Sequence, residues 1–94
     1  MATSNDIVIQ HKLGLHARPA AMFVKTAAKF SSRITLENLS RGAQPVNAKS
    51  ILSVLSAGVK KGEQIRVTAE GADEAEAVNA LTELVVNNFG EAEN

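Results

Sequence analysis

Between Asp6 and Phe89 the chain switches repeatedly between two spacings of apolar residues. The segment DIVIQH (6–11) is short and β-branched, with Ile7 and Ile9 two apart, and predicts a strand. In PAAMFVKTAAKF (19–30) the apolar positions Ala20, Phe23, Val24, Ala27 and Phe30 fall at helical spacing, while Lys25, Thr26 and Lys29 point away, so an amphipathic helix is predicted. RITLENL (33–39) returns to alternation, with Ile34 and Leu36 on one face and Arg33, Thr35 and Glu37 on the other. After the turn-like SRGAQP, Val46 closes a short strand, and Pro45 places it at a sheet edge because proline donates no ladder hydrogen bond. SILSVLSAG (50–58) reads as a short helix ended by Gly58, with more apolar surface than one buried face requires and with Ile51 assigned to the core. EQIRVTAE (63–70) alternates again with Ile65, Val67 and Ala69 inward, following the turn KKG. The last helix opens at Asp73, three residues before Glu76 in the manner of a capping box. Its core stripe is Ala77, Leu81, Leu84 and Val85, with Phe89 near the end and Gly90 past it. The order βαββαβα predicts an α+β domain with helices on one sheet face and solvent on the other. The polar GEAEN (90–94) is expected to be a frayed end.

Composition narrows what such a domain does. With 94 residues, 45% of them hydrophobic, residues 1–94 suffice for one core and are too few for two. Ten basic and ten acidic side chains balance, and three phenylalanines are the only aromatics, so nucleic acid is not an expected partner. The lack of cysteine argues against a disulfide scaffold or thiolate metal site and fits a cytoplasmic location. No stretch approaches the roughly 18 apolar residues of a membrane span, and MATSNDIV does not resemble a signal peptide, so neither export nor insertion is expected.

The candidate chemistry lies in GLHARPA (14–20). Pro19 falls in the first helical turn, where a missing N–H costs nothing, and Gly14 allows a sharp turn beforehand. His16 is thereby placed at the N-cap, where its Nδ1 occupies roughly the position of an asparagine side-chain oxygen. An anion on that nitrogen would meet the backbone N–H groups of Ala17 and Arg18, the positive end of the helix dipole and the Arg18 guanidinium. Phosphoryl transfer needs chiefly alignment and charge stabilisation, so these groups suffice for one half of a transfer site. The same spacing also serves an ordinary capping histidine.

GLHARPAAMF resembles the active-site segment of the histidine-containing phosphocarrier family, HPr, of the bacterial phosphoenolpyruvate-dependent sugar phosphotransferase system. VNAKSILSVLSAGVKKGEQIRV (46–67) is similar to that family's regulatory-serine region, and the βαββαβα order extends the resemblance over nearly the whole chain. The resemblance implies an open-faced β-sandwich of a four-stranded antiparallel sheet and three helices. It implies that a monomeric carrier accepts phosphate on Nδ1 of His16 from enzyme I and passes it to sugar-specific IIA components, with Arg18 contacting the phosphate. Ser50 matches the serine modified by a kinase/phosphorylase in members that assist a catabolite-repression regulator, although Ala48 and Ser53 depart from a frequent pattern there. Ser50 also suits a plain N-cap, and Asn47 would cap a longer helix.

Ala20, Ala21, Leu52 and Leu55 are candidates for a docking face beside His16. Other signals fail. Ala43 and Ala48 stand where a phosphate-binding loop ending in AKS would need glycines. His11 and His16 lack cysteine or carboxylate companions at ligand spacing, so no metal or other cofactor is expected and His11 is read as a strand-end surface residue. Two alternatives to the sugar-system carrier stay open: a regulatory binding module controlled at Ser50, and a carrier of a nitrogen-related phosphotransfer branch.

Overall fold

A computed structural model describes residues 2–90, and the sequence-based expectation for the tail falls mostly on 91–94, outside the described residues. The elements are β1 (Ala2–Val8), α1 (Ala17–Ala27), β2 (Arg33–Asn38), β3 (Val46–Asn47), α2 (Ile51–Ser56), β4 (Gln64–Glu70) and α3 (Glu74–Val86), followed by a 3-10 turn at Asn88–Gly90. They form a four-stranded antiparallel sheet of order β1-β4-β2-β3 with three helices, the expected fold. β1 and β2 run in the same direction, and β4 fills the gap between them antiparallel to both.

The central place of β4 follows from its side chains. Ile65, Val67 and Ala69 are all fully buried, and Ile34 and Leu36 of β2 join them under the helices. The helical side of the core holds Phe23, Ala27, Val54, Leu81 and Val85. Val24 and Phe30 pack at its margin, as does Leu84, whereas Val78, absent from the expected stripe, is buried. The outer sheet face is polar. There Arg66 holds Asp6 through two hydrogen bonds, Nε to Oδ1 at 2.7 Å and Nη2 to Oδ2 at 3.0 Å.

β1 begins four residues earlier than its apolar pattern indicates. Its N-terminal half is held by polar contacts to α3: the Thr3 hydroxyl donates to Glu74 Oε2 at 2.6 Å and Asn5 Nδ2 to Thr82 Oγ1 at 3.1 Å. Ile51, assigned to the core from sequence, is 40% exposed, because α2 turns Val54 alone fully inward. Asp73 does stand at the N-cap of α3, but its side chain makes no capping hydrogen bond. Its carboxylate instead accepts the Ser31 N–H at 2.9 Å, the Ser32 N–H at 3.0 Å and the Ser32 hydroxyl, tying the start of β2 to the start of α3.

The Ser32 hydroxyl, together with the Ser31 and Ser32 N–H groups, brings the Asp73 carboxyl down to about 2 from the ordinary 3.8, against the opposing effect of burial. A carboxylate whose pKa is lower folded than unfolded adds stability above the unfolded value and loses it as pH falls through the folded one. Asp73→Asn is therefore expected to flatten the fall of stability between pH 4 and pH 2 by about one bound proton. Denaturation midpoints measured across that range check this, and an unchanged slope would remove Asp73 from the account.

Candidate functional site

The segment from Ile9 to Leu15 is bound along the loop before β4 by backbone hydrogen bonds. Ile9 N–H donates to the Glu63 carbonyl at 3.0 Å, Gly62 N–H to the Ile9 carbonyl at 2.8 Å, and Leu15 N–H to the Val59 carbonyl at 3.0 Å. Gly14 is central to this arrangement. Its φ of +71° is left-handed, and a side chain there would place Cβ against the Val59 carbonyl oxygen and 2.8 Å from Lys60 Cα. The loop before β4 is itself braced. One oxygen of Glu63 accepts from Lys60 N–H at 2.9 Å, Asn38 Nδ2 at 3.3 Å and Arg41 Nε at 3.4 Å. Those contacts, the Lys60 N–H foremost, hold the Glu63 carboxyl below its usual range.

With Leu15 buried, His16 emerges half-buried at the N-cap of α1, with extended backbone (φ −88°, ψ −165°) and its carbonyl accepting the Ala20 N–H at 2.8 Å. Its imidazole makes no capping hydrogen bond. The expected position is met, but the ring is not spent on satisfying its own helix. Ala17 and Arg18 follow, both exposed, and the amides of this first turn have no intrahelical partner. Pro19 and Ala20 are buried and anchor the turn. The Arg18 guanidinium makes no hydrogen bond or ion pair with the described residues, so it is available to an anion at the helix end. No described helix is long and apolar enough to cross a membrane.

His11 differs from its expected surface role. It is 5% exposed, its Nδ1 accepts the Leu13 N–H at 3.2 Å, and its ring centroid lies 5.3 Å from that of His16. A lone histidine after a strand carries no sequence signal for this proximity. Spacing could suggest it only once the tight turn at Gly14 was known.

The second segment begins at a cap. Ser50 has extended backbone (φ −116°, ψ 118°), and its Oγ accepts the Ser53 N–H at 3.3 Å at the start of α2. Asn47 does not extend the helix; its Oδ1 accepts the Lys49 N–H at 3.0 Å in a local turn. α1 and α2 pack against one another. Ala21, Leu52 and Leu55 are exposed on them, Leu52 to 77%. Ala20 corrects the expected docking set: it is fully buried, because it shares the inward stripe of Phe23 and Ala27. Leu13, in the His16 loop and 62% exposed, is an apolar surface residue that periodicity did not single out.

Comparison with known proteins bears on this arrangement. A family model described as PTS HPr component phosphorylation site matches residues 3–87. The multiphosphoryl transfer protein of Escherichia coli O157:H7 is 41% identical over 88 residues, covering 94% of this chain and 23% of that protein, so the chain spans about a quarter of that curated relative. Among solved structures, HPr of Thermoanaerobacter tengcongensis superposes with a TM-score of 0.90 at 48% identity, covering 97% of this chain and 99% of that one. The catabolite repression protein Crh of Bacillus subtilis superposes with a TM-score of 0.71 at 39% identity, covering 87% and 91%. With the phosphorylation-site model extending over nearly the whole chain and the same sheet and helices in its solved relatives, the chain belongs to the HPr family of phosphotransferase-system phosphocarriers.

Proposed function

We propose that residues 1–94 act as a single stoichiometric phosphocarrier domain in which His16 takes a phosphoryl group from phosphorylated enzyme I and gives it to IIA components of sugar permeases. The observation that carries this reading is an imidazole at the N-cap of α1 that makes no cap bond of its own. With a phosphohistidine donor protonated on its other ring nitrogen, the Nδ1 lone pair attacks phosphorus, a P–N bond forms as the donor's P–N bond breaks, and the donor leaves as neutral imidazole while the phosphorylated His16 ring takes the positive charge. The incoming oxygens are met by the N–H groups of Ala17 and Arg18 and by the Arg18 guanidinium. The chain works as carrier rather than catalyst, since it is consumed and regenerated once per phosphoryl group. A cytoplasmic location goes with this reading, because phosphoenolpyruvate is a metabolite of the cell interior. Ala21, Leu52 and Leu55, with Leu13 added and Ala20 removed, supply the apolar surface a protein partner covers.

Incubation with enzyme I and labelled phosphoenolpyruvate tests the reading: an acid-labile label on the chain supports phosphohistidine, and an acid-stable one opposes it. His16→Ala is expected to abolish labelling at a stability cost below about 1 kcal/mol, because no capping bond is lost. Arg18→Ala is expected to slow transfer about tenfold while His16 stays modifiable, the order expected for one hydrogen bond to a charged group. Equal rates with wild type in both directions would take Arg18 out of the site.

A second reading, regulation at Ser50, is favoured by the likeness to Crh, and the Oγ cap on the Ser53 N–H places that serine at the start of α2. Phosphate there would add charge beside the exposed Leu52 and alter docking to enzyme I or to a catabolite-repression regulator, with a serine kinase/phosphorylase as the modifying partner. Ser50→Asp keeps a good cap residue, so circular dichroism is expected to stay native while phosphate acceptance at limiting enzyme I falls. Native dichroism with wild-type acceptance would leave Ser50 as a helix cap.

A further inference from the structure

The imidazole of His16 has no hydrogen bond to its own helix, yet transfer to it needs a defined ring direction. The ring beside it supplies one. His11 is 95% buried and fixed from three sides. Its carbonyl accepts the Gly14 N–H at 2.8 Å, its Nδ1 accepts the Leu13 N–H at 3.2 Å, and its ring meets Phe89 edge-on at 6.2 Å with an interplanar angle of 71°. With Nδ1 accepting, the ring proton sits on Nε2, so the tautomer as well as the plane is set.

Phe89 is in turn a held residue. Asn88 and Phe89 both have left-handed backbone, φ 54° and 57°, a conformation seldom adopted by side-chain-bearing residues, and Phe89 is 1% exposed. Its buried ring keeps the turn at Asn88–Gly90 against His11. The surface that His11 then offers to His16 is a ring at 5.3 Å between centroids, tilted by 51°.

We propose that His11 is a positioning residue for His16, holding the accepting imidazole in one rotamer through ring contact, with Phe89 as the backstop of His11. The proposal rests on the phosphocarrier reading of His16 and adds to it a residue that takes no phosphate. Ring contact between aromatic side chains is directional, so it selects an orientation where a mere filler of volume would not.

Two substitutions divide the roles of His11. His11→Asn retains an acceptor for the Leu13 N–H and removes the ring; His11→Phe retains a ring and removes the acceptor. In phosphate transfer from enzyme I, H11N is expected to lower kcat about tenfold with the KM for the carrier unchanged, and H11F to restore kcat even where it lowers thermal stability. In NMR spectra the His16 Cα–Cβ rotamer is expected to average in H11N and to stay single in wild type and H11F. A rise in KM without loss of kcat, or a His16 side chain that keeps one rotamer in H11N, would overturn the proposal. If the wild-type chain takes no phosphate from enzyme I, the carrier reading fails by itself, and the rotamer measurement in H11N still decides the role of His11.

Discussion

The approach of one backbone to another at Gly14 is the constraint on which the site depends. No side chain fits between residue 14 and the Val59–Lys60 backbone, and the left-handed turn at Gly14 is where the chain leaves its path along the loop before β4 and enters α1. The Leu15 amide is satisfied by Val59, the Leu15 side chain is buried, and the next residue is delivered to the helix end half in solvent. His16 is thus placed from beneath, by a loop far away in sequence. That loop is stiffened by the carboxylate of Glu63, which gathers donors from Lys60, Asn38 and Arg41, while the buried Asn38 also donates to the Ala57 carbonyl at 3.0 Å. Sheet and site are in this way one mechanical unit.

What was legible in the sequence was the part governed by apolar period. β2, β4, α1 and the start of α3 follow from alternation or helical spacing because their inward residues are aliphatic or aromatic. The parts that were not legible rely on polar partners distant in sequence. Thr3 and Asn5 face α3 as hydrogen-bond donors, so the first half of β1 shows no apolar alternation. The Asp73–Glu76 spacing suggested a capping box, but two serine amides and a hydroxyl more than forty residues away offered Asp73 better partners than its own helix.

The site itself was half legible. GLHARPA places His16, Arg18 and Pro19 correctly relative to the helix start, because a cap and a first-turn proline are local matters. Whether Ala20 or its neighbour Ala21 faces outward is a matter of about 100° around the helix, and the stripe with Phe23 and Ala27 claims Ala20. His11 was illegible for a different reason. Its burial requires Phe89 to arrive from the other end of the chain, through two left-handed residues that no periodicity announces.

α2 separates the demands of folding from those of recognition. Six residues are too few for a helix to persist by propensity, and Val54 is the only one of them fully buried. Its order therefore comes from the Ser50 cap at one end, the turn through Gly58 (φ +61°) at the other, and packing on α1 and β3. Such an element tolerates apolar residues on its outer side because the core does not need them. Leu52 at 77% and Ile51 at 40% exposure are apolar surface outside the core, and Leu52 belongs to the proposed docking set. Because the same serine oxygen both orders this helix and stands next to its apolar outer face, a charge placed on that oxygen would act at once on the cap and on the surface that the proposed docking assigns to a partner.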